Sequence, residues 1–278
     1  MRRSARSALP GGHLSRRHGE SIEFAELRPY QPGDDLRTVD WNAYRRLRKL
    51  LVRRFRAEQS QDIYILLDTS GSMEVPAAKF DLARKIAGAA AVLASGEHDR
   101  LTLLPFREVV TGRFVESRRG RMPVEVLRTL SGLRCDGSTA VAASAEGAAA
   151  MMRRTGLVMI ISDFFDPKGL ESALKALAVR GAEILGVQVF APEEARPRLV
   201  GPLTLEDAET GAEHEIVVSS ETNRAYMELF DEYQKGLRRR FQEIGGSLVS
   251  LETVTPLADA LYELFGDRSS GPLPEVRG

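Results

Sequence analysis

The sequence predicts an α/β fold: a Rossmann-like, mostly parallel sheet with helices on both faces. Three observations carry that expectation. Residues 62–68 and 157–161 are short, continuous apolar runs, the pattern of strands covered on both faces. The stretches between such runs carry apolar residues at three- and four-residue spacing, as amphipathic helices do. Strand and helix signals then alternate over about 200 residues, which favours parallel strands joined by helical crossovers.

The elements follow in order. Asp62-Ile63-Tyr64-Ile65-Leu66-Leu67-Asp68 is the first buried strand. After a Gly/Ser turn, Pro76 opens a helix carrying Leu82, Ile86, Ala90 and Leu93 and ending near Gly96. Residues 101–104 form the next strand, with an edge strand at 109–111. Val124, Leu127 and Leu130 mark a short helix, and 139–154 is an Ala-rich helix with side chains small enough to lie close to a sheet. Residues 157–161 are the second buried strand. Asp166-Pro167 supplies an N-cap and a proline at the first helical position for a helix reaching about Arg180. Another strand occupies 184–190. Two strand-like runs, 203–207 and 213–218, flank Glu209-Thr210-Gly211 and read as a β-hairpin inserted at 199–218. Tyr226, Leu229, Phe230, Tyr233, Leu237, Phe241 and Ile244 share one stripe of a long helix. Residues 248–251 are the last strand, and Thr255-Pro256 starts a final helix that Gly266 stops.

The 278 residues are 43% apolar and 28% charged, the balance of an ordinary globular chain with ample length for a core. The longest charge-free stretch, 86–96, is far shorter than the ~20 residues that cross a bilayer. Cys135 is the sole cysteine, which excludes an intrachain disulfide, a CxxC pair and a thiolate zinc site. The Arg- and Ser-rich start lacks the apolar region of a secretory signal, so a cytoplasmic location is expected. Lys+Arg and Asp+Glu balance at 39 each, but unevenly: residues 1–60 hold 14 basic against 7 acidic side chains, and the rest 25 against 32. The expected organisation is a disordered basic start at 1–18, a leader at 19–60 packing on the main domain, that domain at 61–266, and a disordered tail at 267–278.

In open parallel sheets ligands sit beyond the carboxyl ends of strands. The first buried strand ends in Asp68-Thr69-Ser70-Gly71-Ser72, the second in Ser162-Asp163, and Gly137-Ser138-Thr139 opens a helix between them. Two carboxylates and several hydroxyls thus converge on one rim. An all-oxygen set suits a hard cation such as Mg²⁺, which takes six oxygens at about 2.1 Å. Asp, Ser and Thr are also ordinary turn and cap residues, and it is their convergence from three loops that favours a site.

Asp68-x-Ser70-x-Ser72, Thr139 and Asp163 resemble the complete metal-ion-dependent adhesion site of the von Willebrand factor A domain. The resemblance implies that Ser70 and Ser72 bind Mg²⁺ (or Mn²⁺) through their hydroxyls and that Thr139 joins directly or through water. Asp68 and Asp163 would act directly or through bound waters, leaving one position for an acidic side chain of a protein partner. The stretch GESIEFAELRPYQPGDDLRTVDWNAYRRLRKLLVRRF resembles the leader of the domain of unknown function 58 family, with its Arg-Pro-Tyr-x-Pro-Gly-Asp-Asp block and Asp-Trp pair. The similarity runs from about Gly19 to Gly266. It implies a short soluble branch of that family and a MoxR-type AAA+ ATPase as partner, with this chain as adaptor or chaperone-like component.

Catalytic readings find less support. A haloacid-dehalogenase-like phosphatase needs a second acid two residues after the first Asp, where this chain has Ser70. No Gly-x-x-x-x-Gly-Lys-Ser/Thr loop exists to cradle a nucleotide. His13, His18, His98 and His214 are scattered and read as surface residues, and Ser70 and Ser72 have no indicated His base. Cys135 reads as an incidental small residue. A metal-dependent hydrolase stays as the alternative, because bound Mg²⁺ can polarise a phosphoryl oxygen. A second alternative is nucleic-acid binding through the basic segment 45–56, weighed against long cationic stems that simply cover apolar surface. Asp34, Asp35 and Asp40 read as turn caps around Pro32-Gly33 rather than ligands.

Overall fold

The structure is a computed structural model that describes residues 22–31, 41–57, 62–96, 99–107, 115–117, 123–138, 141–165, 169–208 and 211–266. The chain divides into two compact units on either side of residue 60. In the first, β1 (Ile22–Pro29) pairs antiparallel with β2 (Leu51–Ala57), Ile22 opposite Ala57, with one irregularity between Phe24 and Glu26. The Tyr30 N–H donates to the Leu50 carbonyl, which prolongs the ladder toward α1 (Trp41–Leu47). Arg45 and Arg46 lie in the last turn of α1, where cations favour the helix dipole. The basic segment is therefore split between a helix end and a strand.

The second unit runs β3 (Asp62–Asp68), α2 (Ala78–Gly96), β4 (Arg100–Phe106), β5 (Val115–Ser117), α3 (Val124–Gly132), α4 (Val141–Met151), β6 (Gly156–Ser162), α5 (Leu170–Val179) and β7 (Glu183–Phe190). It continues α6 (Pro192–Ala195), β8 (Gly201–Glu206), β9 (Glu213–Val218), α7 (Ser220–Glu243), β10 (Ser247–Glu252) and α8 (Leu257–Phe265). Six strands form one sheet in the order β10-β7-β6-β3-β4-β5, all parallel except β5 at the edge. After β3 the chain builds outward through β4 and β5, then returns to place β6 on the other flank of β3. The order reverses between β3 and β6, and such a switch point opens a crevice at the strand ends.

Strand side chains alternate between the two faces, and that period sorts the core into two layers. Ile63, Ile65 and Leu67 of β3 face the layer made with Ala83 and Ile86 of α2, Val126 of α3 and Leu264 of α8. Tyr64 and Leu66 face the opposite layer, with Ala145 and Ala148 of α4, Leu174 of α5, and Leu237 and Phe241 of α7. Gly186 of β7 allows α7 to come this near: a Cβ there would lie 2.5 Å from the Phe241 ring and 2.7 Å from Leu248.

Some expectations move. The edge strand at 109–111 lies outside the described residues, and the described edge strand is β5, antiparallel. The helix expected from Asp166-Pro167 begins at Leu170, after Gly169 in the left-handed region (φ 76°); glycine can take that conformation without steric cost. Asp166 and Pro167 themselves lie outside the described residues. Pro256 precedes α8 without a side-chain cap from Thr255. On α7 the stripe is partial: Phe230, Leu237 and Phe241 are buried, while Tyr226 and Leu229 are exposed. The hairpin stands where expected, as β8 and β9. No helix among the described residues is long and apolar enough to cross a membrane.

Candidate functional site

The ends of β3 and β6 meet at the switch point. Asp68 is fully buried, and its carboxylate organises the turn that follows: Oδ1 accepts from the Ser70 N–H at 2.9 Å. Its Oδ2 accepts from the Ser162 hydroxyl at 2.7 Å, and Ser162 Oγ accepts in turn from the Phe164 N–H at 2.9 Å. One carboxylate thus ties the two strand ends together. The turn brings Ser70 Oγ and Ser72 Oγ within 3.1 Å of each other. Ser70 is buried, whereas Ser72 is partly open to solvent.

A third loop is stitched to this turn through its backbone. The Asp136 N–H donates to the Thr69 carbonyl at 3.0 Å, and the Gly71 N–H to the Gly137 carbonyl at 2.8 Å. Gly137 holds φ 72°, a left-handed bend that glycine adopts readily. These bonds bring Gly137 and Ser138 beside the Ser70–Ser72 turn; Thr139 itself lies outside the described residues. The hairpin also reaches this turn. A Cβ on Gly71 would lie 2.5 Å from the Ala208 carbonyl oxygen, so the turn tolerates only glycine at that approach.

Asp163 is buried beside the same rim but turns to a partner the sequence did not single out. Lys79, in the first turn of α2, donates to Asp163 Oδ2 at 3.0 Å and to Glu194 Oε1 at 2.6 Å; Lys79 and Asp163 are each only 1% exposed. The Lys79 ammonium also lies 5.3 Å from the centroid of the Phe165 ring, a cation–π contact. Glu194 reaches back with Oε2 to accept the Ala191 N–H at 2.6 Å, fixing the start of α6. Between Asp163 and Phe165, Phe164 sits in the left-handed region (φ 57°), a conformation that costs a bulky residue about 1–3 kcal/mol. Its ring is anchored edge-on to Phe241, and the Tyr233 hydroxyl donates to its carbonyl. The Gln188 amide donates to the Asp163 carbonyl at 3.1 Å and accepts from Ser250, so β7 and β10 brace the same loop.

The electrostatics follow from burial. The Asp68 carboxyl is pushed up from 3.8 to about 6, first by burial and then by the charge of Asp163; its hydrogen bonds to Ser162 and Ser70 pull the other way. Burial likewise raises Glu194 above the usual carboxylate range, with the Lys79 ammonium opposing it. Burial and the charge of Glu74 push the Cys135 thiol up, so it carries little thiolate. His214 is exposed on β9. Among the described residues no three His, Cys, Asp or Glu side chains are grouped to hold a metal.

Of the five site residues expected from sequence, Asp68, Ser70 and Ser72 share one turn, and Asp163 stands at the end of the adjacent strand. Sequence reasoning noted Ser162 as a strand end but missed its bond to Asp68, and it missed Lys79, Glu194 and Gln188. A lysine at a helix N-terminus, where the dipole disfavours a cation, was the one local signal for Lys79.

A doubly wound α/β domain with an oxygen-rich rim at its switch point is the class these features define. The chain belongs to the family described as protein of unknown function DUF58, which it matches over residues 26–236. It is 31% identical over 276 residues to the uncharacterized proteins Rv1480 of Mycobacterium tuberculosis and Mb1516 of Mycobacterium bovis, covering 95% of this chain and 85% of each relative. Among solved structures it is similar to BatB of Bacteroides thetaiotaomicron (15% identity, TM-score 0.48, 73% of this chain and 96% of that one). An aerotolerance-related membrane protein of Bacteroides fragilis is comparable (13%, TM-score 0.47, 74% and 96%). These two likenesses are distant, and the fold assignment rests on the sheet order itself.

Proposed function

We propose that the rim formed by Asp68, Ser70, Ser72 and Asp163 is a metal-dependent protein-recognition site of the von Willebrand factor A type, loaded with Mg²⁺ or Mn²⁺. The observation that carries this reading is the 3.1 Å separation of Ser70 Oγ and Ser72 Oγ beside a buried carboxylate. Two neighbouring oxygens of an octahedral Mg²⁺ shell at about 2.1 Å stand roughly 3.0 Å apart, so these hydroxyls already have the spacing of adjacent ligands. Asp68 spends both oxygens on Ser70 and Ser162, which suits it to orienting the turn and supplying charge. Thr139 is a further donor on the adhesion-site pattern. When bound, the metal offers an open coordination position to a carboxylate.

The chemical task of the chain's own residues is then to hold hydroxyls and charge ready for an acidic side chain of a protein partner. The leader's resemblance adds a MoxR-type AAA+ ATPase as the expected partner, with this chain as adaptor or chaperone-like component. The test is thermal melting of the full chain with Mg²⁺, with Mn²⁺ and with chelator, alongside Ser70→Ala and Ser72→Ala. Mg²⁺ at a hundredfold excess over its dissociation constant adds about 2.7 kcal/mol to a native state that alone binds it. Wild type should show that gain and the alanine variants should lose most of it. A wild type whose melting ignores both metals at millimolar concentration overturns the reading.

A further inference from the structure

Among the residues whose side-chain burial is described, Lys79 is the only lysine or arginine that is fully buried. Removing an ammonium from water costs several kcal/mol unless carboxylates answer it. Lys79 meets that need with Asp163 and Glu194, at 3.0 and 2.6 Å, and the Phe165 ring lies against its ammonium. The arrangement has a second consequence. One of its two carboxylates, Asp163, is also a member of the candidate metal rim, and its charge is felt at Asp68. Any cation entering at Ser70 and Ser72 therefore meets Asp163 already engaged by a fixed positive charge.

We propose that Lys79 is the resident counter-ion of the rim, a positioning residue that anchors Asp163 to Glu194 and sets the charge an incoming metal meets. The proposal rests on the metal-site reading above. Asp163 and Glu194 both pair with Lys79, and Asp68 feels the charge of Asp163, so Lys79 returns one positive charge to an acidic rim. The lysine repels a trivalent ion half again as strongly as a divalent one at the same distance. Lys79 thus makes the site selective by charge, lowering its avidity for trivalent ions more than for Mg²⁺. Glu194 matters because it shares the lysine: without it the full ammonium charge bears on the rim.

The experiment is calorimetric titration of the full-length protein with Mg²⁺ and, separately, with La³⁺, for wild type, Glu194→Gln and Lys79→Met. Glu194 is no metal ligand in the reading above, and Glu194→Gln leaves the Lys79–Asp163 pair in place. It should weaken Mg²⁺ roughly tenfold and La³⁺ by more, lowering the La³⁺/Mg²⁺ affinity ratio. Lys79→Met should raise that ratio by roughly tenfold. Lys79→Met leaves Asp163 buried without its cation and could fail to fold, in which case Glu194→Gln decides alone. If wild type binds Mg²⁺ and Glu194→Gln changes neither affinity nor ratio, Lys79 is a structural ion pair only; the counter-ion proposal falls while the metal site stands. If wild type binds neither ion, the metal reading fails and the proposal falls with it. A merely structural role could lower stability but would leave the affinity ratio unmoved.

Discussion

Asp68→Asn tests whether the buried carboxylate at the end of β3 is held against its own charge. In the metal-free protein its pKa stands near 6, against 3.8 in the unfolded chain. The difference is about two units, and each unit corresponds to 1.36 kcal/mol, so ionised Asp68 costs the fold about 3 kcal/mol at neutral pH. The sign is set by proton binding. With its pKa raised in the fold, the native state holds the proton more tightly, so this contribution to stability is fully present below pH 4. It is lost as pH rises from about 4 to about 6 and is flat beyond. Asparagine removes the charge but supplies only one acceptor where Asp68 accepts from both Ser70 and Ser162. Losing one hydrogen bond to a charged group takes back about 1.5–3 kcal/mol. The net expectation in chelator at pH 7.5 is a variant that melts at or slightly above wild type. Melting of both proteins is followed in chelator between pH 4 and 8, and the readout is their difference, in which other titrating groups cancel. Wild type should lose ground to Asp68→Asn across pH 4–6 by several degrees, since 1 kcal/mol moves Tm by roughly 2–4 °C at this chain length. Millimolar Mg²⁺ should then restore wild type and do little for the variant. A pH-independent difference, with the variant melting well below wild type throughout, would show that Asp68 is a structural acceptor whose charge costs nothing, and the metal reading would lose its electrostatic basis.

Asp163→Asn should behave in the opposite way. It removes one carboxylate from a fully buried lysine, a class of change that costs about 3–5 kcal/mol, moderated here because Glu194 stays; chelator melting of the two asparagine variants side by side checks that they move in opposite directions. Gly186→Ala should destabilise by about 1–3 kcal/mol through its clash with Phe241, read as a lower urea midpoint with unchanged Mg²⁺ response. Arg45, Arg46, Arg48 and Lys49 are exposed, yet the favoured reading gives them no nucleic-acid role. Wild type should therefore show no steeply salt-dependent binding to duplex DNA, and tight binding lost on replacing these four by glutamate would revive the nucleic-acid alternative.

The parts of the fold that local chemistry determines were legible from the sequence, and the parts made by distant side chains were not. The run from Asp62 to Asp68 announced a strand buried on both faces because no polar residue interrupts it, and every one of its residues is buried. Gly211 with its flanking alternation announced the hairpin. Asp166-Pro167 misled because the pair is a good helix start in isolation, while the chain first makes a left-handed step at Gly169. The site divides along the same line. Asp68, Ser70 and Ser72 lie within five residues and Asp163 ends the next strand of the switch point, so strand-end logic found them. Lys79 is 84 positions from Asp163 and 115 from Glu194, and no periodicity or turn rule links such positions. What the sequence did hold was a local conflict: a lysine in the first turn of α2, where the helix dipole disfavours it. A residue that stands against its local preference needs compensation from elsewhere in the fold, and here two carboxylates from beyond the ends of β6 and β7 provide it. On the proposed metal reading, that compensation is what would couple Lys79 to the rim, since an ammonium held by Asp163, Glu194 and the Phe165 ring shares the Asp163 carboxylate with it.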